Sequence, residues 1–144
     1  MKINLLTLAV GACLAAVPST SMAQKNQENP ILAEYSTPYG IPPFDQIKPS
    51  DYMPALKAAI ASQQAAVKAI VENPDAPTFD NTILALEASG DPVSNVVLLF
   101  SALEEANSSP EIIAIAEEFN PLVSQNSDEI SMNNALFQLS LIHI

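Results

Sequence analysis

Apolar residues along the chain recur mainly with helical spacing. From about Asp51 to Glu72, Tyr52, Leu56, Ile60, Gln63, Val67, Ile70 and Val71 step by three or four and fall on one face. Ser50 or Asp51 can accept the free N–H groups at its start, and Asn73-Pro74 ends it. Pro54 is tolerable only in a first turn, which sets the start close to Asp51. Thr78 caps a second helix with Phe79, Ile83, Leu84 and Leu86 as its apolar side, and Gly90 is placed to end it in a left-handed conformation. Asp91-Pro92 opens a third helix, with Asp91 as cap, that buries Val93, Val96, Val97, Phe100 and Leu103, widened by Leu98 and Leu99. Ser109-Pro110 opens a fourth, carrying Ile112, Ile115, Ala116, Phe119, Leu122 and Val123 to about Ile130, with a kink expected near Asn120 because Pro121 cannot donate. Asn133 caps the beginning of a fifth helix that contains Leu136 and Phe137.

The first third of the chain is different. Pro30, Pro38, Gly40, Pro42 and Pro43 punctuate Leu32, Tyr35, Tyr39, Ile41 and Phe44, which predicts an extended arm lying on a surface over 24–49. Ahead of it, Lys2, the apolar run Ile3 to Val17, the Pro18-Ser19-Thr20 break and Ser21-Met22-Ala23 have the order of a secretory leader cleaved after Ala23. The run is short for a bilayer span, which takes ~20 residues. Val10-Gly11-Ala12-Cys13 also loosely fits a lipoprotein box. However, Leu14 to Val17 keeps the chain apolar past Cys13, which argues against a lipid anchor there. The expectation is an exported, periplasmic product.

Composition narrows the function classes. The 144 residues carry 5 Lys plus Arg against 16 Asp plus Glu, a net charge of −11. Such a chain lacks the basic face that nucleic acid or anionic lipid requires. Hydrophobic residues at 49% exclude compositional disorder, and only 3 Gly with no Trp favour helices over a turn-rich β-fold. One Cys cannot form an internal disulfide, and one His, His143, cannot build a site with two imidazoles. The paired carboxylates Glu104-Glu105, Glu117-Glu118 and Asp128-Glu129 point about 100° apart on a helix and read as a solvated acidic face. Ser62, Ser89 and Ser101 have no base except His143. From the residues alone the mature chain is an exported, acidic, all-α domain over 50–138. It has no catalytic, cofactor-binding or metal residue.

Several separated segments carry a resemblance. They are Asn29-Pro30, the run Ser36-Thr37-Pro38-Tyr39-Gly40-Ile41-Pro42-Pro43-Phe44-Asp45-Gln46-Ile47-Lys48-Pro49, Tyr52-Met53-Pro54-Ala55, Ala69-Ile70, Asn73 through Ile83, and Leu86-Glu87-Ala88-Ser89-Gly90. Pro121-Leu122 and Ser127-Asp128-Glu129-Ile130 before Asn133 echo it later. In order and spacing these resemble the N-terminal part of bacterial peptidyl-dipeptidases, which are thimet-oligopeptidase-like zinc metallopeptidases. Pro92-Val93-Ser94-Asn95 departs from that pattern, where a Leu-rich stretch with a basic residue is more usual.

The resemblance implies a mostly helical enzyme with its site in a channel between two halves. Its zinc would be held by an H-E-x-x-H helix and a downstream Glu, and it would release dipeptides from the C-termini of short peptides. No H-E-x-x-H occurs in this sequence. The chain is therefore expected to be the N-terminal, channel-walling part of such an enzyme. Its partners would be the catalytic half and, in the whole enzyme, peptide substrates. The competing expectations are a stand-alone periplasmic helical module, such as a chaperone or inhibitor, and a related oligopeptidase that cuts internally. Leu139-Ser140-Leu141-Ile142-His143-Ile144 does not continue the resemblance. It matches one reading frame of a transposon-end sequencing adapter and is read as a non-native tail over 139–144.

Overall fold

The computed structural model describes residues 29–141; the leader, Cys13 and His143 lie outside the described residues. The described residues form helices α1 (Pro49–Val71), α2 (Ala85–Ser89), α3 (Asp91–Ala106), α4 (Pro110–Ser131) and α5 (Asn134–Ser140), with no strand among them. A 3-10 turn, Pro38–Gly40, precedes α1, and a π-helical turn, Phe79–Leu84, leads directly into α2. The all-α expectation holds.

Helix α1 is the spine, against which α3, α4, α2 and α5 all pack. It begins at Pro49, two residues earlier than expected, because proline in the first turn has no N–H to leave unpaired. Asp51 supports that start by accepting the Lys48 backbone N–H at 2.8 Å. Pro54 therefore falls in the second turn, where it cannot donate to the Ser50 carbonyl. Alanines let α1 approach its neighbours: Ala55 and Ala59 are buried beside Tyr52 and Leu56.

The main core joins Tyr52 and Leu56 to Val93, Val96, Leu99 and Phe100 of α3 and Ile112, Ala116 and Phe119 of α4. Phe100 is its hub, edge-on to Tyr52 with centroids 5.3 Å apart and stacked on Phe119 at 4.2 Å. Leu98, expected to widen the α3 face, points to solvent, since α1 and α4 already occupy the arc through Val96 and Phe100. A second, smaller core gathers Val67 and Ile70 of α1 with Leu136 of α5, flanked by Val71, Ala85, Leu86, Ile130 and Leu139.

Three local expectations change. The apolar side foreseen for the second helix forms only in part: Ile83 and Leu86 are half-buried, Phe79 and Leu84 face solvent, and Thr82 and Ser89 are buried. The reason is the π turn, in which the Ala85 N–H bonds back to the Asp80 carbonyl, five residues away, and so shifts the face. Gly90 is not left-handed. Its φ of −79° and ψ of −19° carry the chain from α2 into α3 through a single tight turn, with Gly90 N–H on the Glu87 carbonyl at 3.0 Å. Asp91 is thus the first residue of α3 and makes no side-chain cap. Pro92, lacking an N–H, opens the ladder here, and the Ser94 N–H closes it again on the Gly90 carbonyl at 2.9 Å.

The arm is a string of turns, not one extended run. Leu32 N–H bonds the Asn29 carbonyl, Gly40 N–H that of Thr37, and Gln46 N–H that of Pro43. Prolines forbid helix and sheet but fit turns, so the segment folds back repeatedly and buries Ile31 in the main core. Helix α4 continues through Pro121 to Ser131 without a break. Asn133 caps α5 as expected, its Oδ1 accepting from Ala135 at 3.0 Å and Leu136 at 3.2 Å.

Candidate functional site

Two places concentrate polar side chains. The first is the interface of α1 and α4 between the two cores. Asn126 is buried there and donates from Nδ2 to Gln63 Oε1 at 2.7 Å. Gln64 Nε2 donates to Glu129 Oε2 at 2.9 Å and reaches Asn126 Oδ1 at 3.5 Å. Gln125 Nε2 donates to the other oxygen of Glu129 at 2.8 Å. The residues are three amides on adjacent turns of α1 and α4, one further amide on α4, and one carboxylate whose two oxygens both accept hydrogen bonds. No nucleophile is paired with a base. The chemistry available is recognition of one helix by the other, because a buried amide without its partner would forfeit the hydrogen bonds it makes in water.

Sequence reading put Gln63 on the apolar stripe of the first helix but missed Asn126. Asn126 stands four residues after Leu122 and four before Ile130, in register with the stripe of α4. Two polar residues at stripe positions of separate helices were the available signal.

The second place is a groove of about 620 Å³ between the arm and the start of α1, bordered by Asn29, Tyr35, Thr37, Lys48, Asp51 and Pro54. Asn29 clamps the arm: its Nδ2 donates to the Asp51 carbonyl at 2.8 Å and its Oδ1 accepts from Ile31 N–H at 3.0 Å. The Tyr35 hydroxyl donates to the Ile31 carbonyl at 2.8 Å. Burial raises the Tyr35 hydroxyl above its ordinary pKa. Burial, and then the charges of Tyr35 and Asp51, raise that of Tyr52.

The chemistry-bearing residues singled out in the sequence do not converge. Ser62 and Ser101 are exposed on different helices. Ser89 is buried, and its hydroxyl donates to the Leu86 carbonyl at 2.6 Å. Of the acidic pairs, Glu105, Glu117, Glu118 and Asp128 face solvent, Glu104 is half-buried and Glu129 belongs to the amide tie. Among the described residues no three His, Cys, Asp or Glu side chains stand together as a metal site. The stretch Phe79–Ala106, from the π turn through α2 and α3, is long and apolar enough to cross a bilayer, yet its α3 part supplies one wall of the main core.

No protein-family profile matches the chain. Individual curated proteins do. The chain is 38% identical over 109 residues to the dipeptidyl carboxypeptidase of Salmonella typhimurium, and 37% identical over 109 residues to that of Escherichia coli. It is also 29% identical over 109 residues to oligopeptidase A of Salmonella typhimurium.

The chain is a homologue of these peptidases. The match takes in 76% of the chain but about 16% of the length of the two dipeptidyl carboxypeptidases. The dipeptidyl carboxypeptidases are matched at higher identity than oligopeptidase A, in line with the resemblance read from the Pro-rich arm.

Proposed function

We propose that the chain is the N-terminal helical region of an exported zinc metallopeptidase that releases dipeptides from the C-termini of short peptides. In that enzyme the helices described above wall the substrate channel. The observation that carries this reading is the 38% identity to a dipeptidyl carboxypeptidase, sustained over 109 residues. Zinc, when bound in the whole enzyme, would activate a water for attack on the peptide carbonyl. Its ligands would come from sequence beyond this stretch. Export rests on the Lys2 to Ala23 pattern, with Gln24 as the mature terminus.

The test is to express the complete reading frame that contains this sequence. Dipeptide release from an N-blocked peptide, abolished by a chelator and restored by zinc, is the expected result. A complete frame without H-E-x-x-H, or one without such activity, would overturn the reading in favour of a stand-alone module. Mass spectrometry of the exported product should find Gln24, open or cyclised, at its start; a lipid-modified Cys13 would replace that route.

A further inference from the structure

The second core is small and lies near the surface. Its buried members Val67, Ile70 and Leu136 are 6%, 8% and 6% exposed, like Val93, Leu99 and Ala116 at the edge of the main core, and none is enclosed as fully as Tyr52, Leu56, Val96 or Phe100. Grooves flank it on two sides. One of about 270 Å³ runs between α1 and α4 over Val67, Val71 and Ile130, and one of about 350 Å³ lies between α1 and the π turn over Ile70 and Ala85. The elements around it also turn large apolar side chains outward: Phe79 and Leu84 from the π turn, Met132 after α4, and Phe137 from α5. The π turn and α5 pack against each other, so these side chains share one end of the molecule. An apolar end of this kind, with gaps in its packing, is what an interface resembles when one partner is lifted away.

We infer that this end is the surface on which the rest of a peptidase-length polypeptide docks, completing the second core. The inference rests on the proposed function and adds to it the place of contact. The occupant is argued from length: the chain corresponds to about 16% of each dipeptidyl carboxypeptidase it matches, so most of such a polypeptide lies outside this stretch. At this end Lys68 and Glu72, at the rim of the α1–α4 groove, pair with each other at 3.8 Å, so the groove offers apolar contact between them.

The experiment replaces the matched stretch of the Salmonella typhimurium dipeptidyl carboxypeptidase with residues 29–138 of this chain. One variant carries Phe79→Ser, Leu84→Ser, Met132→Ser and Phe137→Ser; a control carries Leu98→Ser and Ile113→Ser, two exposed apolar positions on α3 and α4. The docking variant is expected to lose at least tenfold in dipeptide release after mild heating and to melt several degrees lower, with the control close to the parent. The same four substitutions in the 144-residue chain alone should leave its helical circular dichroism intact and reduce binding of a hydrophobic dye, which separates a lost interface from a lost fold. Equal melting of variant, control and parent would overturn the inference, as would a graft that does not fold. A graft that folds and melts as expected but releases no dipeptide counts against the peptidase reading and leaves the docking surface standing.

Discussion

Asn126 Nδ2 lies 2.7 Å from Gln63 Oε1, across the interface of α4 and α1 and between the two cores. The contact fixes how the two longest helices register, because sliding either by a turn would bury one amide against hydrocarbon. Replacing Asn126 with Ala strands Gln63 and should cost about 1–3 kcal/mol. Replacing both with Leu removes both polar groups and should restore much of that loss. Urea unfolding of the single and double variants tests this; a double variant as weak as the single would deny the pairing its role.

Phe100 offers the largest single lever. It is 1% exposed and in contact with two aromatic rings, so truncation leaves a cavity that neither Tyr52 nor Phe119 can fill. Phe100→Ala should cost about 3–5 kcal/mol. Domains of this size hold only about 5–15 kcal/mol in all, so cooperative melting should be lost or displaced far downward. Leu98→Ala, on the exposed side of the same helix, should fall within about 0.5 kcal/mol of the parent. Calorimetry of the pair decides whether the α3 face is oriented as described.

Stretches with regular 3.6-residue periodicity were legible in the sequence. The caps at Thr78, Ser109 and Asn133 needed no tertiary information, since each is a short polar side chain before an apolar run. Phe79 and Leu84 were misread because a π turn changes the helical period without any sequence mark of its own. Asn126 was missed for another reason: its partner is 63 residues away, and one helix alone does not reveal which polar residue its neighbour will meet. The homology itself was readable because it rests on the order of short motifs, which survives without knowledge of the packing.

The caps give a prediction of their own. Thr78 Oγ1 accepts from Asn81 N–H at 3.1 Å and Asn81 Oδ1 accepts from Thr78 N–H at 2.7 Å, so two free donors are satisfied reciprocally. Ser109 accepts from Ile112 N–H at a longer 3.4 Å. Thr78→Ala should cost about 1 kcal/mol and Ser109→Ala less, within the roughly 0.5–2 kcal/mol of cap deletions. Chemical denaturation should rank them in that order; the reverse order would contradict the reciprocal pair.

Alkaline pH should expose the buried tyrosines. A hydroxyl whose folded pKa is raised above the ordinary tyrosine value of about 10 favours the folded state while it is neutral. That contribution is present in full below the unfolded value and is lost as pH rises through the folded one. The melting temperature should therefore decline more steeply above about pH 10 than in Tyr52→Phe, while ultraviolet titration shows Tyr52 ionising only as the fold opens. Identical alkaline limbs for parent and variant would remove Tyr52 from the account.

The two described glycines should respond in opposite directions to alanine. Gly40 has φ +66° and follows Tyr39 at φ 63°, with open space where a Cβ would go. Its substitution meets no neighbour and costs only the left-handed backbone, about 1–2 kcal/mol. Gly90 has helical angles, and a Cβ there would sit 3.4 Å from Gln63 Nε2 and from the Glu87 carbonyl, at the near edge of ordinary contact. Since alanine adopts those angles without strain and loses less freedom on folding, Gly90→Ala should be neutral or stabilise by up to about 1 kcal/mol. A left-handed helix terminator, the reading its position in the sequence invited, would instead be destabilised by alanine as Gly40 is. Thermal melts of both variants therefore discriminate directly: a loss at Gly90 matching that at Gly40 would mean that α2 ends there, and that α3 does not follow it through one tight turn.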